Sequence, residues 1–265
     1  MRILFLGDTH STQRALEKAL GEQAPLYRAK LVIQVGDFGF WPPRTQHLLE
    51  TCTHLCETAN IDLYWIDGNH ENHAQLNHDA PGPVAIAPRV HYIPRGHLLE
   101  LDGTRVLFMG GAISLDRIWR QAGTSWFPTE RPSAQQWERA HQNGPAHILV
   151  THDSPAGTPL QGIQFPLPAR ELQSSAQHRE KLLTLMQATT PSFLIHGHWH
   201  EPLHTHFTHS SGTTQIISLA HNRNPKNNWC VLECQDGEIQ LLAGPPDAPL
   251  SHTTHPHQEN PQHSH

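Results

Sequence analysis

Apolar positions fall in short continuous runs, and several runs are followed by a stretch of helical period. The runs at 2–7 (RILFLG), 30–36 (KLVIQVG) and 61–68 (IDLYWIDG) read as strands of a sheet covered on both faces. Between them, 12–23 and 44–60 space their apolar residues three and four apart and are expected to be helices. Pro42 and Pro43 suit the entry to the second. A strand is expected at 90–94 and a hairpin over 98–111, turning on Asp102-Gly103. A helix at 133–142, a strand at 147–151, a helix at 174–188 and a strand at 192–197 follow. The last third reads as strands alone, at 204–209, 213–220 and a hairpin over 229–242 turning at Asp236-Gly237. Parallel βα units followed by hairpins predict an α/β sandwich with mixed sheets.

The pattern stops near Ala243. The remainder holds five prolines, five histidines and a single leucine, too little apolar surface to offset the entropy of ordering it. The chain is therefore divided into one domain, 1–242, and a disordered His/Pro-rich tail, 243–265. No apolar run approaches the roughly 18 to 20 residues of a membrane span, so none is expected. The first residues lack the apolar core of a secretory signal, and with four cysteines the expectation is a cytoplasmic protein. Lysine plus arginine numbers 18 against 24 acids, which excludes a globally basic nucleic-acid binder; no extended nucleic-acid surface is evident. The unusual count is histidine, 24 of 265 residues, which suggests metal without saying where. Cys52 and Cys56, four apart on a helix, and Cys230 and Cys234, on one face of a strand, are expected to be buried thiols. A four-cysteine zinc site would need both pairs to converge.

Five strands end in residues of the same chemical kind. The first runs into Asp8 and His10, the second into Asp37, and the third into Asn69 and His70; the strand at 147–151 runs into His152 and that at 192–197 into His198 and His200. In open α/β sheets the ligand site lies beyond the carboxyl ends of the strands, so these side chains can converge. Each stop alone is an ordinary turn; their joint occurrence is the signal.

The blocks GDTH (7–10), GDFG (36–39), GNHE (68–71), His152 in VTHDSP and GHWH (197–200) resemble the five-part signature of calcineurin-like metallophosphoesterases. The resemblance implies a four-layer αββα sandwich with two mixed sheets and a two-metal centre at one edge. It implies that Asp8, His10, Asp37 and His200 hold one ion. Asp37, Asn69, His152 and His198 would hold the other, with Asp37 bridging. Nitrogen and oxygen donors of this kind suit manganese, iron or zinc better than calcium. Two divalent ions less Asp8, Asp37 and a bridging hydroxide leave one positive charge for an anionic substrate. A phosphomonoester and a phosphodiester fit equally. The implied reaction is in-line attack of metal-bound hydroxide on phosphorus, with His70 as general acid.

Phosphoprotein phosphatases of this superfamily follow the second block with an aspartate and an arginine. Here the stretch is GDFGFWPPR (36–44), so that activity is the runner-up, although Glu71 matches it. Arg117 and Arg120 are candidate substrate clamps, or could pair with Asp116 or Glu130. Trp41, Trp119, Trp126, Phe127 and Trp199 either stack a nucleobase or pack the loops. The expected partners are thus a phosphorylated small molecule, a nucleotide or a phosphoprotein. The rival from another class is a non-catalytic, His-rich metal-binding protein using residues such as His204, His206 and His209.

Overall fold

The computed structural model describes residues 1–162, 166–210 and 212–246. The first half runs β1 (Arg2–Leu6), α1 (Gln13–Lys18), α2 (Ala24–Tyr27), β2 (Leu31–Gln34), α3 (Gln46–Ala59) and β3 (Asp62–Trp65). A π-turn at Ala19–Gln23 joins α1 to α2. Strands β4 (Val84–Ala87), β5 (Val90–Tyr92), β6 (His97–Leu101) and β7 (Thr104–Met109) follow, then α4 (Ala134–Gln142) and β8 (Ile148–Thr151). The chain continues through α5 (Ala169–Thr189), β9 (Phe193–His196), β10 (Leu203–His209), β11 (Gly212–Ser218), β12 (Trp229–Gln235) and β13 (Glu238–Ala243).

These strands form two mixed sheets. The seven-stranded sheet has the order β13-β12-β1-β2-β3-β5-β4, and the six-stranded sheet the order β10-β11-β9-β8-β7-β6. In the first, β1, β2, β3 and β5 are parallel; in the second, β7, β8, β9 and β11 are. Alternation explains the layering. Ile3 and Phe5 of β1 face the core between the sheets with Ile33, Phe108, Val150 and Ile195, whereas Leu4 and Leu6 face Leu16, Leu20 and Leu49 of the helices. On the other flank Leu107, Leu149 and Leu194 meet Trp137, Leu182 and Leu185 of α4 and α5. Strands buried on both faces must be apolar throughout, which is why they read as unbroken runs. The fold is the expected αββα sandwich.

Differences from expectation are local. Strand β4 was not anticipated: it is four residues long, at a sheet edge, between Pro83 and Pro88. Helix α5 begins at Ala169 rather than 174, entered from Pro168. The two terminal hairpins part company, β10-β11 joining one sheet and β12-β13 the other. Strand β13 reaches Ala243, one residue into the expected tail, and residues 247–265 lie outside the described residues. All four cysteines are buried and free. Cys52 and Cys56 lie in the helix-facing core and Cys230 and Cys234 in the inter-sheet core, on opposite faces of one sheet. Burial pushes the Cys52 and Cys56 thiols up to about 12. Among the described residues, no helix is long and apolar enough to cross a membrane.

Candidate metal centre

The carboxyl ends of β1, β2 and β3 meet those of β8 and β9 at one edge of the sandwich. The loops there are laced together by their backbones: Thr9 N and His10 N donate to the Asp37 carbonyl at 3.2 and 2.8 Å. The turns are tight enough to force left-handed backbone at residues that rarely adopt it. His10, Asp37, His198 and His200 have φ of 45°, 54°, 66° and 59°. Such conformations persist where surrounding structure over-determines them, commonly at functional sites.

Asp8 and Asp37 are fully buried. His200 Nε2 lies 2.9 Å from Asp8 Oδ2 and 3.2 Å from His10 Nε2, and His10 Nδ1 lies 3.9 Å from Asp37 Oδ2. Asp8, His10, Asp37 and His200 each place a ligand atom within 4.8 Å of the others. On the far side of Asp37, His152 Nε2 approaches Asp37 Oδ1 to 3.3 Å. His152 Nδ1 lies 2.9 Å from the Val35 carbonyl, which can only accept, so Nδ1 carries a proton and Nε2 faces the centre. Two more buried atoms, Asn69 Oδ1 and His198 Nε2, have no hydrogen-bond partner among the described residues. The His152 and His198 ring centroids are 5.1 Å apart. Buried acceptors are almost always satisfied, and a cation would satisfy these.

Electrostatics point the same way. Burial opposes ionisation of Asp37, yet His152, His70 and His10 hold its carboxyl well below the usual carboxylate range. Burial likewise opposes the charged form of His152, but Asp37 carries it up to about 10. Burial and neighbouring His152 push His198 well down, leaving a neutral imidazole with a free lone pair. The two buried carboxylates thus draw positive charge to the centre, taken up by His152 when no metal ion is there. The donor set therefore fits two divalent ions, one on Asp8, His10, Asp37 and His200 and one on Asp37, Asn69, His152 and His198.

The glycines of the blocks make room for this. A Cβ on Gly68 would sit 2.2 Å from Asp37 Oδ1 and 2.6 Å from His152 Nε2, and one on Gly197 would sit 2.0 Å from Asp8 Oδ1.

The family model for calcineurin-like phosphoesterases matches residues 1–202. The chain belongs to the calcineurin-like phosphoesterase family. Metal-dependent phosphoester hydrolysis is the reaction class this membership brings. Among solved structures, a protein from Thermus thermophilus is 12% identical with a TM-score of 0.55, covering 91% of this chain and 97% of that one; it shares the fold. A dimetal phosphatase from Danio rerio is 15% identical with a TM-score of 0.49, covering 88% and 93%. No curated protein matches the chain in sequence.

Around the proposed ligands of this calcineurin-like phosphoesterase, His70 is half-buried, its amide donating to Asp37 Oδ1 at 2.8 Å and its Nε2 4.0 Å from Asp37 Oδ2. Burial pushes its imidazole down, Asp37 pulls it up, and Arg120 lowers it again, for a net position below the ordinary value. Arg120 reaches the site but is spent on protein groups. Its Nε donates to Asp116 Oδ2 at 2.8 Å, its Nη1 donates to the Asn69 carbonyl at 3.1 Å, and its Nη2 lies against the His70 ring, closest to Nε2. It pairs with Asp116 and braces the loop bearing Asn69 and His70. Arg117 is not brought to the site: it lies 3.5 Å from Glu171 and 4.5 Å over the Trp126 ring. Of the loop aromatics, Trp41 donates to the His70 carbonyl at 2.8 Å and packs near Phe127, and Trp126 and Phe127 are buried. Trp119 is exposed. Trp199 lines the cavity of about 250 Å³ beside Asp37, Asn69, His70 and Asp116.

Behind these residues stand others whose bracing role no block revealed, Glu71 among them. Glu71 accepts from Gly39 N at 3.0 Å and Gly68 N at 2.8 Å, tying the second block to the third. The His221 ring centroid stands 4.4 Å from that of His200, and Asn222 N donates to the Asp8 carbonyl at 2.9 Å. The signal for these was available, since they follow the apolar end of β11 as the other site residues follow their strands. Asp67, His73 and His78 also gather ligand atoms within 4.8 Å. There the carboxylate is taken by Arg95 Nε at 2.9 Å and Tyr92 OH at 2.7 Å, so the cluster is a closed network with its own cation.

Proposed function

We propose that the protein hydrolyses a phosphomonoester or phosphodiester, with two divalent transition-metal ions at the centre and His70 as general acid. The observation that carries this reading is the four-residue cluster around Asp8 and Asp37, placed against Asn69 Oδ1 and His198 Nε2, which have no hydrogen-bond partner among the described residues. Ions bound there would supply an activated water near neutral pH and neutralise charge on the phosphoryl oxygens. The protein's own part is positional. Asp37 is held by the amides of Asn69 and His70 at 2.9 and 2.8 Å, so it presents oxygens to both halves of the centre without reorganisation. His70 stands on the cavity wall, where its imidazole, once protonated, can pass a proton to the leaving oxygen. Arg120 fixes the loop that carries both His70 and Asn69.

The substrate class is a phosphate ester whose leaving group enters the cavity between Asp116 and Trp199. The phosphoprotein phosphatase alternative gains nothing from the residues after Asp37, since Phe38 and Phe40 are core residues. The test is hydrolysis of an aryl phosphate and a bis-aryl phosphate with added manganese. Asp37→Asn should abolish turnover. His70→Ala should reduce it by about 10² to 10⁴, least for the ester with the most acidic leaving group. Turnover unchanged by Asp37→Asn or by His70→Ala would overturn the assigned mechanism, whereas no turnover of either ester by the metal-supplied wild-type protein would leave the His-rich metal-binding reading in its place.

A further inference from the structure

Asn69 is the one amide among the proposed ligands, and an amide has two ends. Only its oxygen can bind a metal ion; if the side chain turned over, the centre would face an NH₂ group. What fixes its direction is a buried chain of hydrogen bonds from residues distant in sequence. Asn69 Nδ2 lies 3.1 Å from Ser114 Oγ. Ser114 Oγ lies within hydrogen-bond reach of Glu130 Oε2, and Ser114 N donates to Glu130 Oε1 at 2.9 Å. Ser114 and Glu130 are both wholly excluded from solvent, and Asn69 is 4% exposed.

The direction of each bond follows from the donor inventory. An ionised carboxylate only accepts, and a serine hydroxyl has one hydrogen to give. That hydrogen goes to Glu130, so the Ser114 oxygen offers Asn69 lone pairs alone. The amide must then turn its NH₂ to Ser114, because the reverse arrangement would set two acceptors against each other in a water-free site. Asn69 Oδ1 is thereby aimed away from Ser114, and it is this atom that has no partner among the described residues.

We propose that Glu130 and Ser114 are positioning residues whose bond polarity sets Asn69 as an oxygen ligand of the second metal ion. The inference rests on the two-metal reading above. Outer hydrogen-bond partners of this kind typically contribute 10- to 100-fold in metal affinity.

The test is titration of the chelator-treated full-length protein with manganese by isothermal calorimetry, alongside thermal melting. Wild type should bind two ions. Ser114→Ala should weaken one of the two by about 10- to 100-fold and leave the other unchanged. Ser114→Thr, which keeps the hydroxyl, should bind as wild type does. Glu130→Gln can turn its own NH₂ to Ser114, freeing the hydroxyl to face Asn69, and should produce the same one-site loss. Two undiminished ions in folded Ser114→Ala would overturn the proposal. So would equal weakening of both sites, the mark of a merely structural lesion. If Ser114→Ala does not fold, the comparison of Glu130→Gln with Ser114→Thr decides by the same criteria. Fewer than two ions in the wild-type protein would instead remove the two-metal reading itself.

Discussion

Arg117 and Arg120 are three residues apart and have opposite fates. Arg120 is 8% exposed in its side chain, bound to Asp116 and set against His70 and the Asn69 carbonyl. Arg117 rests on Glu171 and Trp126. Arg120→Ala should therefore lower kcat by at least about tenfold, since it frees the loop that carries the proposed general acid and a proposed ligand, and small misplacements at a reacting centre are costly. Arg117→Ala should change kcat/KM by less than about twofold, as a partly exposed ion pair contributes at most ~1 kcal/mol. Steady-state kinetics on an aryl phosphate separate them, and equal effects would contradict this division. No spacing rule could have divided the two arginines, because the difference depends on where a loop of irregular backbone comes to rest.

At the scale of elements, four of the five blocks are strand stops in which a glycine, a proposed ligand and a tight turn are inseparable; VTHDSP alone carries its histidine without a glycine. Gly68 has no room for a side chain, whereas a Cβ on Gly82 would meet nothing within 4 Å. Gly68→Ala should displace the Asp37 carboxylate and cost about 10- to 100-fold in metal affinity, while Gly82→Ala should bind like wild type; metal titration reads both. These stops were legible because strands buried on both faces are apolar throughout, so Asp8, Asp37, Asn69, His152 and His198 stand out at their ends. Short β4 was not legible, being a proline-flanked edge strand with little pattern to show. Ser114 and Glu130 were not legible for a different reason. Their roles arise from contacts between segments far apart in the chain, and in each segment the residue alone is unremarkable.

At the scale of the molecule, the histidine excess has a consequence for stability. Burial pushes His73 down to about 3, and His78, His178 and His196 to about 4. In an unfolded chain each would titrate near 6.5. Below that pH the unfolded state takes up protons that the folded state refuses, so stability present above about 6.5 is lost as pH falls toward 4. Each group contributes a slope of about 1.4 kcal/mol per pH unit within its window. Melting temperatures recorded between pH 7 and pH 4 should fall throughout that range. A flat profile down to pH 4.5 would show that these imidazoles are not held neutral.

The proposed ligands are divided between the two sheets. Asp8, His10, Asp37 and Asn69 leave strands of the seven-stranded sheet; His152, His198 and His200 leave strands of the six-stranded one. Ions held at this edge would act as cross-links between two layers that otherwise adhere through apolar contact. Binding energy at the centre then becomes cohesion of the sandwich, because an ion that prefers the folded state stabilises it by mass action. Adding a chelator should lower the melting temperature, and amide exchange should rise first at the carboxyl ends of β1, β2, β8 and β9. The same ions that make the edge reactive would also be the clasp that keeps it closed.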